Sequence, residues 1–394
     1  MRGPLLVLVL VACTPVEGER GGDTTAPTLM SIEVTPAALT MKRILSPGQQ
    51  LEAKAIFSDG STQVVTSDVT WSSSDTSAVT VSDDGMISSA TATAPASVMV
   101  TATFDETSGS AEVTVVDPTL VVSQYTPPRL DFFSAFDDGD VAPIRSIAGG
   151  AIAMQSGWGV AVFGDELYVL DADGIGINVY PLDASGDIAP IRRIAGAATN
   201  LMRAYGIAVT EDEIFVSGSA AHIAVFSRTA DGNVVPARMI VGPETQLGNS
   251  LFGLEIHGDE LYVASTGGAG AINVYPLNAS GNVAPTRRLT GAATQLGSSP
   301  YAVRVAGAEM FVLNPSHVHV FPANAEGDVA PLRTIDTPDN SYGLFVLGNE
   351  LLIPAYSDKS VTVHPLSAEG APPPVRRLAG VMTKVDGPLG AFVY

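Results

Sequence analysis

Cysteine is almost absent from this chain: of 394 residues, only Cys13 carries a thiol. That excludes an internal disulfide framework. Aromatic residues are scarce, at 6%, and no stretch sustains the 3.6-residue apolar period of an amphipathic helix. Basic residues are outnumbered by acidic ones, 20 to 41, for a formal charge of -21. Such a surface repels phosphate backbones, and no basic cluster with interleaved aromatics offsets it, so no nucleic-acid partner is expected. The nucleophile motifs are missing as well. There is no Ser-His-Asp order, no phosphate-cradling glycine loop and no Cys/His pair. No cofactor is expected.

Gly and Pro are plentiful, and Val, Ile and Thr alternate with polar residues. That period of two is the mark of half-buried strands, and the chain is long enough for two or three cores. The expected class is all-β.

The amino terminus has its own text. Met1-Arg2 is a short positive start, and the apolar run Leu5–Ala12 is too short to span a bilayer. Leu10-Val11-Ala12-Cys13 follows, and it resembles a bacterial lipobox. The resemblance implies a signal peptide over 1–12, cleavage after Ala12 and diacylglycerol on Cys13, which anchors the mature protein to a membrane. Thr14, where an Asp would signal retention, points to the outer membrane of a bacterial cell envelope. Residues 13–28, rich in Gly, Thr, Pro and charge, read as a flexible tether.

About seven short alternating segments then fit into residues 29–116, the count and spacing of an Ig-like sandwich. The opening Ile32-x-Val34-Thr35-Pro36, the turn Asp59-Gly60-Ser61, the strand Val69–Asp75 (VTWSSSD) and the closing Val113-Thr114-Val115 carry the likeness. The segment resembles a bacterial Ig-like domain of group 2. Such domains serve as spacers or adhesive modules, and the resemblance makes Trp71 a core residue.

From 117 to 394 one phrase recurs, Gly-[Asp/Asn]-x-x-Pro-x-Arg. Its prolines fall at 143, 190, 236, 285, 331 and 374, so the steps are 47, 46, 49, 46 and 43 residues. A period in the forties made only of strand-like segments is the signature of a β-propeller. Five units hold four strands each. Leu120–Gly149 supplies strands two to four of another, and the terminal Gly387–Tyr394 supplies a first strand with nothing after it. Joined, they predict a sixth blade spliced from both ends, leaving no open sheet edge. The repeat resembles six-bladed propellers of the NHL-like kind, which settles fold and leaves function open. The recurring arginines (145, 192, 238, 287, 333, 376) read as blade-packing elements.

The first strand of each unit opens with an aromatic before Gly or Ala: Trp158, Tyr205, Phe252, Tyr301 and Tyr342, with Leu389 in the spliced blade. First strands are innermost in propellers, so these five should ring the mouth of the central channel. They are the expected ligand-binding residues, with a plug of the channel as the structural alternative. The inter-blade loops reach the same face, each with an amide (Gln155, Asn200, Gln246, Gln295) expected to cap backbone of the neighbouring blade. His317 and His319 would share a strand face as a two-point metal ligand, but no third His or Cys stands near them and no metal site is expected; Asp171 and Asp173 could bind calcium or simply make a turn.

The expectation is a non-enzymatic surface protein that binds an extracellular glycan, peptide or protein at the channel mouth. The alternative is a calcium-assisted lactonase or esterase in the channel, although aromatic-Gly pairs stand where such enzymes place carboxylates. Cys13 gives the first test. Expressed with its leader in a bacterial host, the wild type should partition into detergent, and Cys13→Ser should move it to the aqueous phase.

Overall fold

In a computed structural model, residues 26–89 and 95–394 are described. Cys13 and nearly all of the tether lie outside the described residues. The chain is all-β, as expected. Among the described residues, ten short strands in three small sheets stand where about seven were expected in the first domain. Alternation builds its core: Val98, Val100 and Ala102 on one strand face Ala111, Val113 and Val115 on the next, all buried. Trp71 packs at the margin of that core, half-buried, and its indole N–H donates to the Thr66 carbonyl at 2.9 Å.

This domain touches the propeller. Arg43 pairs with Asp117 at 2.7 Å and lies 3.5 Å above the Phe136 ring. Beside it, Ile44 and Leu45 pack on the core formed by Leu120, Phe133 and Leu347. An apolar pair thus packs beside a largely buried ion pair at the contact between the two domains.

Six four-stranded antiparallel sheets follow among the described residues, each in the order first, second, third, fourth strand. Five are contiguous in sequence. Their first strands are Gly157–Phe163, Ala204–Val209, Ser250–His257, Ala302–Ala306 and Phe345–Leu347. The remaining sheet joins Thr119–Gln124, Arg129–Ser134 and Arg145–Ile147 to Pro388–Val393, with Leu120 opposite Val393. The terminal segment thus takes the place that the repeat count assigned to it.

The recurring phrase divides its work. Its glycine bridges the fourth strand of the preceding blade, Gly186 to Ile147, Gly232 to Ile194, and on to Gly139 with Leu378. Its Asp or Asn accepts a hydrogen bond from the linker arriving from that blade: Asp187 from Ala151 at 2.6 Å, Asn233 from Ala198 at 2.7 Å, Asn282 from Glu244 at 2.8 Å and Asp328 from Ala293 at 2.6 Å. The amides credited with that capping do something else. Asn200, Gln246 and Gln295 end short 3-10 turns in the left-handed region, at φ 52, 54 and 59. Their backbones take a conformation uncommon outside glycine, one that Asn tolerates more readily than Gln.

The proline lies two residues ahead of the fourth strand, and the arginine opens it. In five blades this arginine pairs with a glutamate that opens the second strand: Arg192 with Glu166, Arg238 with Glu213, Arg287 with Glu260, Arg333 with Glu309 and Arg376 with Glu350. Several also donate to carbonyls of the next blade, Arg238 to Leu277 at 2.9 Å and Arg333 to Leu366 at 2.6 Å. Arg145 pairs with no acid among the described residues; it bonds the Leu182 carbonyl at 2.6 Å and the Tyr394 hydroxyl at 2.7 Å. The bidentate fork thus sews strand to strand and blade to blade.

These bonds hold Glu166, Glu260 and Glu309 below the ordinary value of 4.5, the arginine hydrogen bond acting first in each. A depressed carboxylate contributes stability that is complete above about pH 4.5 and is lost as pH falls through the lowered folded values. Urea titrations from pH 6 downward should show that acid-side loss. Arg333→Ala should cost about 2 kcal/mol at neutral pH and flatten the loss. An unchanged profile in this variant would remove the arginine clamp from the account of stability.

Candidate functional site

The mouth of the channel is assembled by close approach of the six first strands. A Cβ on Gly206 would fall 1.9 Å from the Phe252 carbonyl oxygen, and one on Gly390 would fall 2.2 Å from that of Trp158. Side chains of that kind are excluded, so glycine follows the aromatic wherever a neighbouring backbone presses in. Ser217 Oγ donates to the Phe252 carbonyl at 2.5 Å and Ser123 Oγ to the Trp158 carbonyl, fixing these contacts.

With the backbones this near, the five rings touch. Tyr205 and Phe252 stack with centroids 4.5 Å apart and planes 7° apart. Trp158 lies 4.7 Å from Tyr205, Tyr301 lies 4.7 Å from Phe252, Tyr342 lies 5.0 Å from Tyr301, and Trp158 and Tyr342 meet edge-on at 5.6 Å. These offsets are the favourable geometries for aromatic quadrupoles. The predicted residues are therefore brought together as one plate over the channel. The space left within it, about 50 Å³, holds a water or two and no organic ligand. All five rings are half-buried, so their outer faces remain open to solvent.

The plate continues into a cleft that sequence reasoning missed. Trp158, Tyr342 and Leu389 share a cavity of about 240 Å³ with Tyr125, Tyr356 and Arg203. Tyr356 stands 6.4 Å from both Tyr125 and Tyr342, T-shaped in each case. Arg203 is held there by Asp173 at 2.6 Å. Tyr125 and Tyr356 each follow the second strand of their blades, in turns that emerge beside the mouth. The corresponding residues of the other units are Ala172, Ser219, Gly267 and Pro315, so departure from the repeat was the signal available. Burial, with the Tyr301 and Tyr356 hydroxyls nearby, pushes the Tyr342 phenol above its ordinary value, so it stays a neutral donor.

Other candidates have structural partners. Asp171 is buried and accepts the amides of Gln155 at 2.8 Å and Ser156 at 3.0 Å, besides pairing with Arg193 at 3.2 Å. His317 and His319 do stack on one strand face, centroids 5.8 Å apart. His319 is spoken for by Thr334 and Asn314, each at 3.0 Å, and burial lowers its pKa to about 4. Among the described residues, no three His, Cys, Asp or Glu are placed to hold a metal ion.

Residues 29–115 match the family model of the bacterial Ig-like domain (group 2). Ice-binding protein 1 of Shewanella frigidimarina is 33% identical over 120 residues, which is 30% of this chain and 13% of that protein; the chain thus spans about an eighth of its length. A crystal structure of a nidogen/laminin complex resembles the chain with a TM-score of 0.51 at 14% identity, covering 70% of this chain and 98% of that one. That similarity is of fold, and it is the propeller fold. A putative 6-phosphogluconolactonase from Bacteroides fragilis has a TM-score of 0.45 at 12% identity, over 90% of this chain and 96% of that one.

Phe252 lies at the centre of the plate, between Tyr205 and Tyr301. Phe252→Ala should lower stability by about 1–3 kcal/mol and shift Trp158 emission to the red as water enters, measured by denaturant titration with fluorescence. Emission unchanged from wild type would mean that the rings do not shield one another.

Proposed function

We propose that this is a lipid-anchored cell-envelope protein whose six-bladed propeller, closed by its terminal strand, binds an extracellular glycan, peptide or protein and performs no catalysis. One observation carries the reading: five touching rings continue into an open cleft with Tyr125, Tyr356 and Arg203. Planar rings with exposed faces stack on sugar rings or peptide side chains, and the tyrosine hydroxyls and the guanidinium supply hydrogen bonds at the rim. Because the plate leaves only about 50 Å³, a polymer lies across it and does not thread through. An Ig-like domain fits an extracytoplasmic protein, and its contacts with the propeller through Arg43, Ile44 and Leu45 join spacer to binding domain. The hydrolase alternative has one observation on its side, a single carboxylate inside the channel, Glu255.

The test uses retention on immobilised peptidoglycan and on bacterial exopolysaccharide. Wild type should be retained on one of them, and the combined Trp158→Ala, Tyr342→Ala and Tyr356→Ala variant should lose at least about a hundredfold in affinity, at about 1–3 kcal/mol for each stacked ring removed. Equal retention of folded variant and wild type would reject the mouth as the site. Lactone hydrolysis by wild type that stops on chelation would replace the binding reading with the enzymatic one.

A further inference from the structure

Below the plate the channel opens again. A cavity of about 360 Å³ is lined by all six first strands, among them Val160, Val209, Leu254 and Val346. It shares Val160, Ile207, Leu254 and Arg304 with the small space inside the plate, so the two lie one above the other. The repeat identifies the tier that shapes it. Three residues after each mouth aromatic or its leucine stand Ala161, Ala208, Glu255, Arg304, Phe345 and Phe392. Positions that recur in six blades hold the fold; at this one the six copies diverge into three unlike pairs.

Each pair contributes a different surface. Ala161 and Ala208 leave the space. Phe345 and Phe392 lie 5.1 Å apart at 58°, an aromatic wall. Glu255 and Arg304 form a 3.3 Å ion pair with side chains 21% and 19% exposed. A charge pair inside an apolar channel costs desolvation that mere packing would avoid. The bonds of Arg304, to Glu255 and to the Leu254 and Val303 carbonyls at 3.1 and 2.7 Å, all leave from Nη1. Among the described residues its Nε and Nη2 groups have no acceptor and can serve a ligand. Burial pushes the Glu255 carboxyl up, against the pull of Arg304, His257 and the Val305 backbone N–H.

We propose that this cavity is a separate small-molecule site, for a planar aromatic compound whose carboxamide-like head donates to Glu255 and accepts from Arg304. The volume falls in the range of small-ligand pockets, mostly apolar with a few convergent polar groups. The aromatic body lies over the alanines against Phe345 and Phe392, and the head meets donor and acceptor side by side. The net charge of the pair is zero, so a neutral head is matched without an unpaired ion.

Benzamide is the probe, followed by saturation-transfer NMR and titration of the full chain. Wild type should bind it. Ala208→Phe, which fills the space, should abolish the signal, and Glu255→Gln should weaken binding about tenfold by removing a charged acceptor. Tyr356→Ala, at the upper mouth, should leave it unchanged, which separates this site from polymer binding. If Ala208→Phe does not fold, Ala161→Val gives the milder filling and should still reduce binding. No benzamide binding by wild type up to its solubility limit, or binding unaltered in a folded channel-filling variant, overturns the proposal.

Discussion

The distance between neighbouring first strands is the constraint on which this molecule depends. At Gly206 and Gly390 a neighbouring carbonyl occupies the place of a side chain, and the same pressure falls on Gly159, Gly253 and Gly343. Because the backbones come that close, rings carried one residue earlier have no room to avoid one another. The stacked plate is thus a product of the glycines as much as of the aromatics. The same approach brings the terminal strand, through Gly390, against the Trp158 carbonyl. The pairing of the terminal strand and the geometry of the mouth follow from one packing requirement.

The outer rim obeys a different economy. There the Arg-Glu forks, the Asx bonds to the incoming linkers and the glycine bridges repeat from blade to blade, each with modest net worth. Their repetition holds neighbouring sheets at a fixed spacing, on which the inner approach relies. Where the phrase decays to Gly370-Ala371, the Asx bond has no side chain to make it, while the Gly370 bridge to Ile335 remains. Backbone pairing therefore tolerates loss of a side chain at one blade.

Much of this was legible before any coordinates. The proline steps counted the units, and the orphan first strand at the end of the chain declared its partner. The group 2 Ig-like phrases marked a domain that the family model matches over residues 29–115, and the phase of the repeat named the five aromatics that meet. What misled was reading side chains where backbone conformation was at stake. Asn200, Gln246 and Gln295 take a positive φ in their linkers, while the capping of linker amides belongs to Asp187, Asn233, Asn282 and Asp328. A linear text shows that a residue recurs and not which of its groups is used.

Period, turn chemistry and alternation determine the fold because they are local or repeated, and each blade restates them. Tyr125, Tyr356, Glu255 and Arg304 carry no such repetition. Tyr125 and Tyr356 are 231 residues apart by their numbers, and Glu255 and Arg304 belong to different blades. The ring geometry alone makes the first two a cleft with Trp158 and the second two an ion pair in the channel. Sequence determined what each blade is; the packing of blades around an axis decided which unrepeated side chains meet there.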